Sequence, residues 1–363
     1  MASPETRAFW IAFNHVPGIG PARLSRLLNH FGDLAAAWEA DADELTRAGL
    51  DRRTVERLET TRRTLVLERV VARLERLGAH VLTWEDEGYP RLLREIPASP
   101  PVLYVRGTLT DEDTWAIAVV GTRRMTRYGA EVTRLLVSEL ARASLTVVSG
   151  LALGVDRQAH QVTLEHGGRT VAVLGSGIDR IYPASNRGVA RRIVEQGALI
   201  TDYPPGTPPD ASNFPPRNRI ISGLSLGTLV IEAGERSGAL ITARFAADQG
   251  RDVFAVPGSI LSPHSRGTNR LIRDGAVPVL EANDILEALN VMPAAPRQAM
   301  QALIPDTEEE SRILAVLSRE PMHVDEIGQA ANVDASTAAA TLALMELKGL
   351  VRSTGGMTYV RAW

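Results

Sequence analysis

The feature that most constrains this fold is an alternation, from about residue 80 onward, of short β-branched runs with stretches of helical periodicity. Strands that alternate with helices form right-handed βαβ units, which build a parallel sheet covered by helices on both faces. The sequence therefore predicts an α/β, extended Rossmann-like core over residues 81–290. The predicted strands are Ile117–Val120, Thr146–Ser149, Thr170–Leu174, Ala198–Thr201, Leu229–Glu232 and Val253–Val256.

Glycine-containing turns follow most of these strands. In a parallel sheet such turns share the carboxyl edge, where ligands bind and where helix N-termini present unpaired N–H groups to anions. The sequence therefore predicts a phosphate-binding cleft at this edge. The turns are Gly121-Thr-Arg123, Ser149-Gly150-Leu-Ala-Leu-Gly154, Gly175-Ser-Gly177, Ala233-Gly234-Glu-Arg-Ser237-Gly238 and Pro257-Gly258-Ser259.

A dinucleotide is the first phosphate compound to consider. Gly175-Ser-Gly177 supplies the first two glycines of the binding fingerprint, but Arg180 stands where the third glycine belongs. We therefore expect no nicotinamide or flavin cofactor. The seven histidines show no metal-ligand spacing, so no metal is expected either.

The densest group of polar and aromatic residues begins at Asn213-Phe214 and continues through Arg217-Asn218-Arg219. A nucleic-acid base can stack on such a ring while neighbouring arginines hold the backbone. The alternative is structural: Phe214 anchors its loop to the sheet, and the arginines pair with Glu232 or Asp202.

Two further arginines, Arg123 and Arg124, follow a predicted strand. A cation near a helix N-terminus gains nothing from the helix dipole, so an anion nearby explains Arg123 better than an ordinary salt bridge does.

Composition bounds the partners. The formal charge is −3, so any attraction to nucleic acid must come from a local patch. Lys348 is the single lysine among 40 basic residues; arginine suits phosphate, although a GC-rich genome explains the bias equally well. There is no cysteine, which suits a reducing compartment, and no apolar run reaches the length of a membrane span. We expect a cytoplasmic, soluble protein without membrane contact.

Flanking segments differ from the core. Residues 1–80 have helical periodicity, and Val16–Leu24 resembles the turn of a helix-hairpin-helix (SAM-like) unit, either a DNA phosphate contact or a plain helix connector. Residues 291–307 form a predicted linker.

Residues 308–363 show three helical patterns and a terminal hairpin, which predict a winged helix. Because Asp306–Trp363 holds nine acidic and five basic residues, we expect a protein-contact role or a degenerate module rather than base readout.

Residues 88–290 resemble the DNA-processing protein A (DprA/Smf) family. The motifs that carry the resemblance are Gly88-Tyr-Pro-Arg-Leu-Leu, Pro101-Val-Leu-Tyr-Val-Arg-Gly107, Val119-Val-Gly-Thr-Arg123, Tyr128-Gly129, Val148-Ser-Gly-Leu-Ala-Leu-Gly-Val-Asp156, Ala159-His160, Phe214-Pro-Pro-Arg-Asn-Arg-Ile-Ile-Ser-Gly223, Ser237-Gly-Ala-Leu-Ile-Thr242 and Asp252-Val-Phe-Ala-Val-Pro-Gly258.

The resemblance implies a homodimer that binds and protects single-stranded DNA, and that helps load RecA recombinase in natural transformation (competence), homologous recombination and DNA repair. It also implies a non-enzymatic protein. Many relatives have lysines where this chain has Gln161 and Leu226. Together, the turns and the family motifs predict DNA-binding residues at Gly121, Arg123, Arg124, Gly150, Phe214, Arg217, Asn218, Arg219, Ser237, Gly238 and Thr242.

Two other functions remain open at this stage. Gly227-Thr-Leu-Val-Ile-Glu232 faintly resembles a motif of phosphoribohydrolases, in which Glu232 would act as an acid on a nucleotide. The other is a recombination scaffold that binds no DNA at all.

Overall fold

The computed structural model describes residues 4–291, 307–318, 321–347 and 350–361. The chain divides into two compact units, Met1–Val291 and Met292–Trp363. Apart from its first and last residues, the predicted linker 291–307 lies outside the described residues. None of the helices in these ranges combines the length and the apolar content needed to span a bilayer.

Six helices open the first unit. Three of them begin at an aspartate, Asp33, Asp41 or Asp51, whose carboxylate accepts a hydrogen bond from a first-turn amide and so caps the helix. The helices are α1 (Pro4–Asn14), α2 (Pro21–Phe31), α3 (Leu34–Glu39), α4 (Ala42–Arg47), α5 (Arg52–Thr64) and α6 (Leu67–Arg76).

These helices share a core with the sheet. Trp10 and Phe13 of α1 belong to the same buried cluster as Leu174 and Leu199. Tyr104 of the sheet donates a 2.9 Å hydrogen bond to Asn14 in α1. The helical segment and the sheet are therefore packed as one body, and a domain boundary at residue 80 stays a prediction.

The main sheet has nine strands. They lie in the order β1-β2-β6-β5-β4-β3-β7-β8-β9. Strands β3 to β9 are all parallel to one another, whereas β2 pairs antiparallel with β6 and β1 pairs antiparallel with β2 at the edge. The strands are β1 (Ala79–Thr83), β2 (Val102–Gly107), β3 (Ala116–Val120), β4 (Thr146–Ser149), β5 (Thr170–Val173), β6 (Ala198–Thr201), β7 (Gly227–Val230), β8 (Asp252–Ala255) and β9 (Val277–Pro278).

Helices cover both faces of this sheet, and strands β3 to β7 are buried along their whole length, as expected for a parallel sheet between two helical layers. The helices are α7 (Arg91–Arg94), α8 (Arg127–Arg142), α9 (Val155–Glu165), α10 (Arg187–Gln196), α11 (Phe214–Gly223), α12 (Ala239–Asp248), α13 (Arg266–Arg273) and α14 (Ala282–Ala288).

The strand order reverses at β3. The chain moves outward from β3 through β4, β5 and β6, then returns to place β7 on the other side of β3. Ile117 of β3 is accordingly opposite Val147 of β4 on one side and Gly227 of β7 on the other. Such a reversal opens a crevice between the loops that follow β3 and β7, which is where open α/β sheets bind ligands.

The predicted α/β core is confirmed, with small differences in strand bounds. Strands β4 and β6 have their predicted limits, whereas β7 begins two residues early because Gly227 and Thr228, which look like a turn in the sequence, continue the ladder opposite Ile117 and Ala118. The sequence interpretation included neither the β1–β2 extension nor the two-residue strand β9.

The second unit is a winged helix, as predicted. Buried Ile313, Ile327 and Leu342, one from each helix, form its core with Leu350. A small antiparallel sheet completes it, in the order β10-β12-β11. Its elements are α15 (Glu308–Val316), β10 (Met322–His323), α16 (Val324–Ala331), α17 (Ala335–Leu347), β11 (Val351–Gly355) and β12 (Thr358–Arg361).

Candidate nucleic-acid interface

An open cleft of about 850 Å³ lies at the reversal point of the strand order, on the carboxyl edge of the sheet. The loops after β3 and β7 form two of its walls, and the first turn of α11 forms a third. The cleft therefore lies where the turns predicted a phosphate-binding site. Nine of the predicted residues line it: Gly121, Arg123, Arg124, Phe214, Arg217, Asn218, Ser237, Gly238 and Thr242.

The loop after β3 is held in place by backbone contacts. Thr122 donates its N–H to the carbonyl of Glu232 at 2.7 Å. A Cβ at Gly121 would stand 2.5 Å from Val155, so this position has no room for a side chain. The fixed loop projects Arg123 and Arg124 as exposed side chains, and Arg123 has no ion-pair partner within the described ranges.

Glu232 holds the start of α8. Its carboxylate accepts hydrogen bonds from the Thr126 amide at 2.8 Å and from the Thr126 hydroxyl at 2.7 Å. Glu232 is 2% exposed, and a Cβ at Gly129 would stand 2.6 Å from its carboxylate. Thr126 is the N-cap residue of α8 and its hydroxyl accepts from the Gly129 amide, so the buried carboxylate of Glu232 fixes the cap and complements the helix dipole.

Phe214 stands at the start of α11, half-buried, with its ring against the backbone of Gly175. A Cβ at Gly175 would be 2.7 Å from a ring carbon, so the ring occupies the space that a side chain would need. The Arg123 guanidinium lies 5.6 Å from the ring centroid, within cation–π range. The structure thus brings Arg123 and Phe214 together, as the sequence predicted.

Arg217 lies beneath this ring. It is 4% exposed, and its guanidinium donates hydrogen bonds to the carbonyls of Gly150 (2.9 Å) and Val173. Burial lowers the pKa of Arg217 to about 10, which leaves it charged at neutral pH, and the buried carboxylate of Asp156 opposes the shift. Arg217 therefore adds positive charge to the floor of the cleft while its donors tie two strand ends together.

Gly150 lines a small pocket beside the cleft rather than the cleft itself, and its missing side chain makes room for Arg217. Arg219 points away. It forms an ion pair with Asp202 at 2.8 Å and donates to the carbonyl of Ala98 at 3.0 Å. Arg219 therefore has the structural role that the sequence left open, an ion pair with Asp202. Glu232, the other carboxylate considered, pairs with no arginine in the described part of the chain.

The turn after β7 forms the opposite wall. Ser237 and Gly238 precede α12, and the amide of Ala239 lies 3.4 Å from the Ser237 hydroxyl. Thr242, one turn further on, is buried against the cleft. The first turn of α12 therefore faces the cavity, but its amides are already engaged: Leu240 and Ile241 donate to the carbonyls of Ser237 and Gly238, both at 3.1 Å.

The cleft is basic although the chain is not. Its lining contains the exposed Arg123, Arg124 and Arg236 together with buried Arg217, and a single carboxylate, that of Asp156. This local excess of positive charge meets the condition that the overall charge of −3 imposes on nucleic-acid binding.

The cleft residues that the sequence did not predict include Arg236, Tyr182 and His264. The Tyr182 ring is 51% exposed and lies 5.8 Å from the Phe214 ring. Tyr182 and Arg236 both belong to loops at the carboxyl edge, so an inspection of every aromatic and arginine in those loops would have found them.

Gln161 and Leu226, the two positions at which the family resemblance implies lysine, lie elsewhere. Gln161 borders a separate groove between α8 and α9, and Leu226 packs partly buried against the core. Neither lines the cleft, so these departures leave its charge unchanged.

The N-terminal hairpin is internally bonded. Arg23 donates to the carbonyl of Gly18 at 2.7 Å, and Arg57 donates to that of Pro17 at 3.2 Å. Gly18 has φ of +99°, a conformation that favours glycine, so the hairpin needs this residue as a helix connector whether or not it contacts DNA.

Fold and cleft together define a class: a Rossmann-like α/β protein with an arginine- and aromatic-lined cleft at the strand reversal, carrying N-terminal helices and a winged helix. The chain belongs to the DNA-processing protein A (DprA/Smf) family, because residues 80–290 match the family described as DNA recombination-mediator protein A. Residues 293–357 match the DprA winged helix domain, and residues 12–58 match a SAM-like helix-hairpin-helix tandem.

Individual relatives and solved structures support this family membership. Protein Smf of Synechocystis sp. is 35% identical over 99% of this chain and 100% of the relative. The X-ray structure of DNA processing protein A from Streptococcus pneumoniae superposes with a TM-score of 0.66 at 31% identity, covering 79% of this chain and 98% of that one. The structure of DNA processing protein A from Helicobacter pylori, which addresses that protein's single-stranded DNA binding mode, superposes with a TM-score of 0.52 at 30% identity. The match covers 58% of this chain and 95% of that one.

Proposed function

We propose that this protein binds single-stranded DNA in the cleft between the loops after β3 and β7. One observation carries the proposal: an exposed arginine with no ion-pair partner in the described ranges, Arg123, lies beside an accessible aromatic ring, Phe214, in a cavity lined by four arginines and one carboxylate. Stacking platforms flanked by backbone-binding cations are what single strands require.

Different residues of the cleft would contact the phosphates and the bases of the strand. Arg123, Arg124 and Arg236 supply charge for phosphates. Phe214 and Tyr182, with centroids 5.8 Å apart, supply ring faces for unpaired bases. A duplex hides its base faces, so this arrangement favours a single strand.

The protein acts by binding rather than catalysis in this proposal. The one acid that suggested hydrolysis, Glu232, is buried, and both of its carboxylate oxygens accept hydrogen bonds from Thr126. A general acid must reach its substrate. Family membership supports a role in transformation and recombination, and we extend the proposal to a cytoplasmic homodimer that delivers single strands to RecA recombinase.

The test is equilibrium binding of a fluorescent oligothymidylate across a salt series. Replacing Arg123 and Arg236 with alanine should weaken binding and flatten the dependence of log K on log salt by about 0.7 for each lost phosphate contact. Phe214→Ala should weaken binding by about 1–3 kcal/mol without changing that slope, because stacking carries no charge.

The matched control replaces two exposed arginines outside the cleft, Arg52 and Arg142, and should leave affinity and slope near those of the wild type. If the cleft variants behave like this control, the strand binds elsewhere. If even the wild-type protein fails to bind at low salt, the scaffold function takes its place.

A further inference from the structure

A second basic pocket adjoins the cleft. It has a volume of about 590 Å³ and lies between the loop after β5, helix α10 and the end of β2. Its lining includes four arginines, Arg106, Arg180, Arg187 and Arg191, none of which is among the predicted DNA-binding residues.

Most of the positive charge in this pocket is not neutralised by neighbouring carboxylates. Arg180, Arg187 and Arg191 are exposed and Arg106 is half-buried. Within the described ranges, no carboxylate lies within ion-pair distance of Arg106, Arg187 or Arg191. Arginines gathered on one concave surface repel one another, so such a pocket is stabilised by an anion that bridges them.

The one acidic residue in the pocket is already engaged. Asp179 accepts from Arg73 of α6 at 2.5 Å and from the Gly206 amide at 2.8 Å. Its side chain is 8% exposed, and Arg180 stands 3.6 Å away. The carboxylate therefore fixes the loop after β5 to α6 and leaves the remaining arginines uncompensated.

The second pocket and the cleft share two lining residues, Tyr182 and Pro209. Tyr182 lies between them with half of its surface exposed, next to the Phe214 ring on the cleft side. The path from one cavity to the other therefore passes an aromatic face and continues onto arginines, the same combination that the cleft itself offers.

We propose that the bound strand continues past Tyr182 into this second pocket, where Arg106, Arg180, Arg187 and Arg191 hold its phosphates. This inference rests on the proposed function and extends it: the cleft is one part of a longer track, and Tyr182 is the stacking residue at the junction. The ligand is a polynucleotide rather than a mononucleotide, because only a chain occupies both cavities at once.

The test compares two oligothymidylates, of about 6 and about 20 nucleotides, since single-strand sites of this kind span roughly 4–16 nucleotides. In the wild-type protein the longer strand should bind more tightly and with a steeper salt slope than the shorter. The variant Arg187→Ala/Arg191→Ala should lose that advantage. The expected loss for the longer strand is about 25-fold near 0.1 M salt, with a slope lower by about 1.4, from two phosphate contacts at about 0.7 each.

Binding of the shorter strand is the internal reference. It should be unchanged in Arg187→Ala/Arg191→Ala and weakened in Arg123→Ala, which separates the second pocket from the cleft. The matched control is Arg142→Ala/Arg192→Ala: Arg192 is exposed on the same helix as Arg191 but lies outside both cavities. This control should retain the full advantage of the longer strand.

If the wild type binds both lengths with equal affinity while Arg123→Ala still weakens binding, the strand binds in the cleft but does not continue into the second pocket. This is also the result expected of a pocket that holds only free phosphate. An equal loss in the Arg142→Ala/Arg192→Ala control would overturn it too, since the effect would then be one of net charge. Failure of both strands to bind any form of the protein would remove the cleft and the track together.

Discussion

A single methyl group at Gly175 should test the stacking role of Phe214 without touching any charged residue. An alanine Cβ at this position would stand 2.7 Å from one carbon of the Phe214 ring and 3.0 Å from another, closer than carbon atoms pack. Because Phe214 is only half-buried, its ring can turn away into solvent instead of disrupting the core. The backbone at Gly175 is not in the left-handed region, so alanine is otherwise tolerated.

The expected cost follows from stacking. Losing one base–aromatic contact costs about 1–3 kcal/mol, so Gly175→Ala should weaken oligothymidylate binding by about 5-fold to 150-fold. The salt dependence should match that of the wild type, since no phosphate contact is lost. Thermal unfolding should show a folded, cooperative protein, and Gly88→Ala, at an exposed glycine with nothing within 4 Å of the added methyl, is the matched control.

A double-mutant cycle makes the test strict. Removing the ring by Phe214→Ala also removes the clash, so adding Gly175→Ala to that variant should cost no further affinity. Fluorescence anisotropy of the wild type, the two single variants and the double variant at one salt concentration gives the coupling free energy between the two substitutions. The reasoning fails if Gly175→Ala binds like the wild type, or if its cost persists once the ring is gone.

Two further predictions concern stability. Glu232→Gln should lower the free energy of unfolding by about 1–2 kcal/mol, because it removes the negative charge that strengthens both Thr126 hydrogen bonds and complements the N-terminus of α8; denaturant unfolding measures it, and an unchanged midpoint would contradict the capping role. His160 is fully buried, and burial lowers its pKa from 6.5 to about 3, so the unfolded state alone takes up its proton as the pH falls below 6.5. The unfolding free energy should therefore fall by about 2 kcal/mol more in the wild type than in His160→Gln between about pH 7 and about pH 5, and equal slopes would refute this.

The fold was largely predictable because its determinants are periodic and local. Buried β-branched runs such as Ala198–Thr201 end where the hydrophobic pattern ends, and turn residues mark the carboxyl edge. The antiparallel pair β1–β2 was harder to foresee. Its place in the sheet depends on the pairing of β2 with β6, in which Tyr104 lies opposite Thr201 far along the chain, and no local pattern specifies that contact.

The site was predictable as a region, and less so residue by residue. Arg123, Arg217 and Arg219 look alike in the sequence, yet one is exposed, one is buried among carbonyls and one is paired with Asp202. Tertiary neighbours decide among these three fates. Tyr182 escaped notice because its importance comes from lying beside Phe214, which only the folded chain establishes.

The most direct measurement of the central claim is photo-crosslinking of an oligonucleotide that carries a photoreactive base, followed by mass-spectrometric mapping of the attached peptide. We predict crosslinks at Phe214 or Tyr182, because these rings offer the exposed aromatic faces of the cleft. Crosslinks confined to the hairpin at residues 16–24 or to the winged helix would contradict the account, since the strand would then contact neither wall of the cleft.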